Sequence, residues 1–213
     1  MTVHTQKRRR GRPPKSLDSQ RDTRAELIRS GLEHLTESGF IASGIDKILK
    51  SVGVPKGSFY FYFSSKEDFG HAVIDSYASY FANKLDAALL DESEEPLQRL
   101  RNFAEKAKQG MEKHQFRRGC LVGNLGQEVD VLPASYRAKL IDIFACWESK
   151  VSACLELALM RGQLNRQVDC AQLAQLFWLS WEGAVSRAKL EQSAKPLDNC
   201  IEHFLEGLTN TAQ

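Results

Sequence analysis

Apolar residues recur along this chain at intervals of three and four, the spacing that lines one face of an α-helix. The first such run begins near Asp22, where Ala25, Ile28, Leu32 and Leu35 step by three, four and three. Gly39 stands where that helix would stop, with Phe40 beyond it for a hydrophobic contact. A second, short helix is predicted over "SGIDKILKSVGV": Ser43 and Asp46 have capping-box spacing, Ile45, Ile48 and Leu49 supply an apolar face, and Gly53 ends it. Pro55 opens a third short helix. Ser65 and Asp68 repeat the capping signal for a fourth that runs to about Leu90. Pro96, Pro133 and Pro196 each precede a further long helical pattern. Leu140, Phe144, Trp147, Val151, Leu155 and Ala158 form one stripe, and Phe177, Trp181, Ala184 and Ala188 form another. No stretch reads as a strand or hairpin. The pattern predicts an all-α protein of about nine helices. It divides into an arm over residues 1–20, a three-helix unit over 21–70 and a larger helical domain over 71–213.

Composition narrows the class. The chain has 213 residues, 42% hydrophobic and 26% charged, which is enough for a buried core in one or two domains. The opening "MTVHTQKRRRGRPPK" has no apolar core, so no secretory signal is expected, and no uncharged run approaches the roughly 18 residues of a membrane span. Five cysteines without a CxxC pair point to reduced thiols and a cytoplasmic protein. The net charge of +2 is unevenly spread: residues 1–15 hold six Lys/Arg and no acid, leaving 23 basic against 27 acidic residues elsewhere. Such an arm meets phosphates or an acidic surface, and without apolar periodicity it is expected to be disordered when free.

The stretch "VPKGSFYFYFSSKEDF" puts rings at Phe59, Tyr60, Phe61, Tyr62 and Phe63. Five rings on a two-turn element cannot all enter a core. Two short helices joined by a tight turn at Gly53-Val54 describe a helix-turn-helix, whose second helix lies in the major groove of DNA. Phe59 and Phe63, four apart, then pack inward, while Tyr60 and Tyr62 point elsewhere and offer hydroxyls to phosphates. Lys56 and Lys66 add charge at the two ends, and Gly57 lets the backbone come close at a helix N-terminus that favours anions.

"GVPKGSFYFYFSSKEDF" resembles the signature of the TetR family of bacterial repressors, most strongly over residues 22–70. That resemblance implies DNA contacts by Lys56, Gly57, Ser58, Tyr60, Tyr62 and Lys66. Many members carry histidine at or near positions 61–62, where this chain has Phe61 and Tyr62. The resemblance further implies a homodimer on a palindromic double-stranded DNA operator, and a C-terminal domain that dimerises and holds a small-molecule effector. The two heads would sit about 34–36 Å apart. The last two helices, near 170–193 and 196–210, would form the dimer interface as a four-helix bundle. No membrane partner, cofactor or catalysis is implied. In the arm, Arg8, Arg9, Arg10 and Arg12 lie in "KRRRGRPPK", and Arg-Gly-Arg-Pro resembles the core of an AT-hook. Two readings stand: a minor-groove clamp, or a tail that attracts phosphates without specificity.

"RRGCLVGNLGQEV" is the segment least like a generic helix. Gly119, Gly123 and Gly126 would share one helical face, suggesting close helix approach or room for a ligand, with Cys120, Asn124 and Gln127 on the adjoining face, where a thiol beside two amides would line a pocket. Arg117, Arg118 and a place in the first helical turn would favour a reactive thiolate at Cys120. "GCLVGNLGQEV" and "WEGAVSRAKL" are similar to the TetR subgroup of electrophile-responsive repressors, including those that answer to N-ethylmaleimide-like compounds and to acrylate. The similarity implies that Cys120 is the sensing thiol and that Lys189 lies near it. The bland alternative is a small buried apolar residue. Trp147, Phe177, Trp178 and Trp181 line a pocket with Phe103 and Met111, or else belong to the core. Cys146, Cys154, Cys170 and Cys200 read as packing residues. Cys200 with His203 lacks the second pair that a metal site needs. Two rival classes remain: a thiol enzyme using Cys120 and His114, and an architectural DNA-binding protein, which would have no cavity.

Overall fold

The computed structural model describes residues 17–164 and 168–209. Among them are nine helices and no strand: α1 (Leu17–Ala42), α2 (Ile45–Val52), α3 (Lys56–Tyr62), α4 (Lys66–Leu89), α5 (Pro96–Lys113), α6 (Leu121–Gln127), α7 (Ala134–Met160), α8 (Cys170–Glu191) and α9 (Lys195–Thr209). The arm and its arginines Arg8, Arg9, Arg10 and Arg12 lie outside the described residues.

The local signals explain most boundaries. Ser65 caps α4 by accepting the Asp68 N–H at 2.9 Å. Gly53 ends α2 in the left-handed conformation at φ 69°, its N–H turned back to the Leu49 and Lys50 carbonyls. Pro55 caps α3, and Pro96 is the first residue of α5.

Two expectations need correction. α1 begins at Leu17 rather than near Asp22, its early turns lacking the apolar periodicity used to place the start. The Ser43–Asp46 pair does not cap α2. Gly44 holds the cap position without a side-chain bond. Ser43 instead donates its hydroxyl to the His34 carbonyl at 3.1 Å, serving the end of α1, and Asp46 pairs with Lys56. Gly39 does break α1 (φ 77°, ψ −178°), but one short turn continues past it.

Packing gathers around rings. In the N-terminal unit, Phe59 of α3 and Phe63 at its C-cap meet Phe69 of α4 at centroid distances of 5.7 and 4.9 Å. Gly31 of α1 leaves space for the Phe69 ring, which a Cβ there would meet at 2.5 Å. In the larger domain, Trp147 of α7 and Trp178 of α8 lie 5.0 Å apart and bury almost completely, with Phe81 of α4 at 4.4 Å from Trp147. α4 thus carries side chains into both cores and joins the two units.

Candidate DNA interface and effector pocket

The rings of this stretch divide as the sequence predicts except for Tyr62, which is half-buried and packs against the core. Phe59 and Phe63 are each 1% exposed, whereas Tyr60 and Phe61 are 65% and 67% exposed. Phe61 thus leaves most of an apolar ring in water. Lys56 and Gly57 are exposed beside them, Ser58 and Tyr62 half-buried. Gly57 has open space around it, so nothing within the protein demands a glycine there and its backbone is free for an outside partner. Lys56 sits 3.0 Å from Asp46 in an exposed pair, worth little in water and readily exchanged for a phosphate. The Lys66 ammonium lies 4.3 Å over the Phe40 ring, tying the start of α4 to the end of α1.

A cavity of about 860 Å³ lies in the larger domain and reaches α1. Its apolar wall includes Phe81, Phe103, Met111 and Trp181. Exposed Arg29, Lys84, Lys106 and Lys113 edge it. Cys120, Tyr77 and Glu182 line it together.

Cys120 is the N-cap of α6, its sulfur accepting the Gly123 N–H at 3.5 Å. Burial pushes this thiol well above its ordinary range, and the neighbouring Glu182 pushes it further. The expectation of a ready thiolate is therefore corrected. Arg118 is committed to Glu37 at 3.1 Å and Glu33 at 3.7 Å, Arg117 is exposed, and neither offsets the burial. Burial likewise raises the Glu182 carboxyl to about 7 and the Tyr77 hydroxyl well above its usual value. His114 lines the same cavity, but Tyr77 and Glu182 are the side chains that act on the thiol.

The glycine pattern proves to have a different basis. Gly119 precedes α6 and Gly126 faces open space, so the three do not form one packed helical face. Gly123 leaves room for a carboxylate: a Cβ there would overlap Glu182 Oε2, so that flexible end would have to turn away, while the Cys120 Cβ lies at an ordinary 3.7 Å. Glu182 of the cavity wall is not marked by any spacing in the sequence. It stands one position beyond Trp181, off the Phe177–Ala188 stripe, and the glycine that leaves room for its carboxylate lies on α6.

The other predicted residues fall into two sets. Trp181 lines the cavity, while Trp147 packs in the aromatic core away from it, and Gln127 is exposed away from it. Asn124 and Lys189 turn toward α1. The carbonyls that precede the Gly39 break would lack helical partners. Asn124 donates to Leu35 and Thr36 at 3.3 and 3.0 Å, Gly119 N–H to Thr36 at 3.2 Å, and Lys189 to Thr36 and Glu37 at 3.3 and 2.7 Å. Beyond the break, the Glu128 carboxylate accepts the Phe40 and Ile41 N–H groups at 2.8 and 3.2 Å. The segment from Gly119 to Glu128 thus holds α1 on both sides of its break, and Cys120 lies within that segment. Among the described residues no His, Cys, Asp and Glu group could hold a metal, and no helix is long and apolar enough to cross a membrane.

A helix-turn-helix unit clasped by a larger helical domain with an internal cavity is the build of a DNA-binding regulator that answers to a small molecule. The chain belongs to the TetR family of transcriptional regulators. Residues 27–73 match the family model for bacterial regulatory proteins of the tetR family, and residues 96–204 match the tetracyclin repressor-like C-terminal domain. The transcriptional regulator AcuR of Cereibacter sphaeroides is 50% identical over 199 residues, 93% of this chain and 90% of its own. The HTH-type transcriptional repressor NemR of Escherichia coli is 31% identical over 189 residues, 87% of this chain and 93% of its own. A solved regulatory protein TetR from Rhodobacter sphaeroides superimposes with a TM-score of 0.85 at 49% identity, covering 86% of this chain and 97% of that one.

Proposed function

We propose that the chain is a homodimeric repressor whose hold on a palindromic operator is relaxed when a small electrophile acts at Cys120. One observation carries the reading. Cys120 stands in the wall of the cavity and within the same segment that grips α1 of the DNA-binding unit. An event at the thiol that favours another position of α6 therefore biases the DNA-reading head. An effector acts only through such a difference in affinity between two states. The cavity is also the feature that an architectural protein without a ligand would lack. The likeness to NemR, a repressor, supports the sign of regulation.

On DNA, α3 enters the major groove. Lys56, Gly57, Ser58 and Tyr60 meet the groove and backbone from its N-terminal half, and Tyr62 and Lys66 meet phosphates beyond. The basic arm adds phosphate neutralisation and steepens the dependence on salt.

The test is fluorescence anisotropy on a labelled fragment of the gene's own upstream region, with wild type and Cys120→Ser titrated with N-ethylmaleimide or acrylate at fixed salt. Release of wild type with retention of the variant supports the covalent switch. Equal release assigns the effect to the cavity without the thiol. Binding that neither compound disturbs rejects the electrophile reading.

A further inference from the structure

A buried thiol held above its ordinary range offers almost no thiolate at neutral pH, and the thiolate is the nucleophile. If Cys120 reacts with electrophiles, something in the cavity must accept its proton. The structure supplies one group in place. Glu182 reaches from α8 to Gly123, where its carboxylate occupies the space a Cβ would need, and the Cys120 side chain converges on the same glycine from the start of α6. Both side chains line the cavity, so a small molecule inside it meets them together.

We propose that Glu182 is the general base for addition of Cys120 to an activated alkene, a role that rests on the reading of Cys120 as the sensing thiol. The carboxylate takes the S–H proton as sulfur bonds to the β-carbon and the C=C π bond breaks. The same carboxyl then returns the proton to the α-carbon. A thiol adds across a double bond, and nothing is oxidised or reduced. A base works best when its pKa lies near the working pH. Burial, opposed only by Cys120, brings Glu182 to about 7. The titratable and charged groups that line the cavity with it are Tyr77, Tyr80 and Lys84 on α4, Lys106 and Lys113 on α5, His114 and Arg118 after it, Cys120 before α6, and Arg29 and Glu33 on α1. Arg118 is already paired with Glu33 and Glu37. Lys189, about two α8 turns away, is bonded to the α1 carbonyls.

The experiment measures acrylamide adduct formation on the full chain, cysteine by cysteine, by peptide mass spectrometry from pH 5.5 to 9. In wild type the Cys120 rate rises through an inflection near the Glu182 titration. Glu182→Gln removes the inflection and slows Cys120 about 100-fold at pH 7.5, the lower end of what a general base contributes. Glu182→Asp restores part of the rate. Gly123→Ala displaces only the flexible end of Glu182 and also slows the reaction. Exposed Cys146 reports the reagent, and buried Cys154 reports an intact fold. A Glu182→Gln protein with the wild-type rate and pH profile at Cys120 overturns the base assignment alone. Wild-type Cys120 that stays unmodified while Cys146 reacts overturns the sensing reading, and the base assignment falls with it.

Discussion

Lys189 of α8 donates its ammonium to the Glu37 carbonyl of α1 at 2.7 Å, joining residues 152 positions apart. The carbonyl belongs to a helix end that has lost its own partners at the Gly39 break. Burial lowers the lysine's pKa, and Glu37 partly restores it. Replacing Lys189 with Met keeps the stem and removes the donor. Stability falls by about 1–2 kcal/mol, the scale of a charge-assisted bond to backbone. The sharper expectation is functional: DNA binding without effector persists, while release by effector weakens, because part of the mechanical link is gone. Urea denaturation and operator anisotropy read the two effects separately. An unchanged effector response would show that Lys189 only stabilises.

The other side of the break makes a second prediction. Glu128→Ala strips the Phe40 and Ile41 N–H groups of their acceptor and costs about 1–3 kcal/mol. Gly39→Ala forces a side chain into positive φ and drives its Cβ into the Glu128 carboxylate. Each change displaces the same carboxylate from the same two donors. The double variant therefore loses less than the sum of the singles in denaturant titrations. Simple additivity would mean that the two residues act independently.

On α3 the rings divide by role. Phe59→Ala opens a cavity among Phe63, Phe69 and α4 and costs about 3–5 kcal/mol. Phe61→Ala and Tyr60→Phe alter exposed rings and change stability by less than about 0.5 kcal/mol. Tyr60→Phe nonetheless weakens operator binding about tenfold through loss of a phosphate bond. Lys56→Ala lowers the slope of log affinity against log salt by about 0.9. Anisotropy at several salt concentrations decides, and full retention of affinity by both variants would remove α3 from the interface.

Glu182 gives stability a pH dependence of known sign. Burial raises its carboxyl from 4.5 to about 7. Between those values the folded protein keeps a proton that the unfolded chain has released, so this residue's contribution declines as pH rises through the window. Glu182→Gln cannot ionise. Its stability relative to wild type is set as the reference below pH 4.5 and rises by about 3 kcal/mol in its favour above pH 7. Paired urea titrations at pH 5, 6, 7 and 8 follow the difference. A gap that does not vary with pH would place the carboxyl in water.

The recognition helix was legible because its pattern is local. Pro55 starts it, four-residue spacing pairs Phe59 with Phe63, and the leftover rings have no core to enter. The pocket was only partly legible. Phe103, Met111 and Trp181 line it, but nothing in the spacing of Trp147 tells core from cavity wall, since both environments are apolar. Asn124 and Lys189 read from sequence as ligand-site residues, yet their partners are backbone carbonyls 88 and 152 positions away, and backbone carbonyls have no residue signature. The protonation of Cys120 is hidden from sequence for a related reason. Sequence shows the neighbouring arginines, but burial and a glutamate from α8 depend on the tertiary fold.

Dimerisation makes a final prediction. On α8, Leu179 and Leu190 are each 75% exposed and Leu176 is 52% exposed, while Gly183 leaves open space beside them. Their spacing of three, four and seven puts all four on one face, with the opposite face buried against the aromatic core. An apolar helical stripe with a central glycine allows the same helix of a second copy to approach closely across a two-fold axis. Leu179→Glu places two like charges near that axis and leaves the protomer core untouched. Sedimentation should show a monomer with wild-type helicity. Operator binding then drops sharply, because a palindrome is read by two linked heads, while the alkylation rate of Cys120 in its own protomer's cavity stays unchanged. A Leu179→Glu protein that remains a dimer would move the interface off this face of α8.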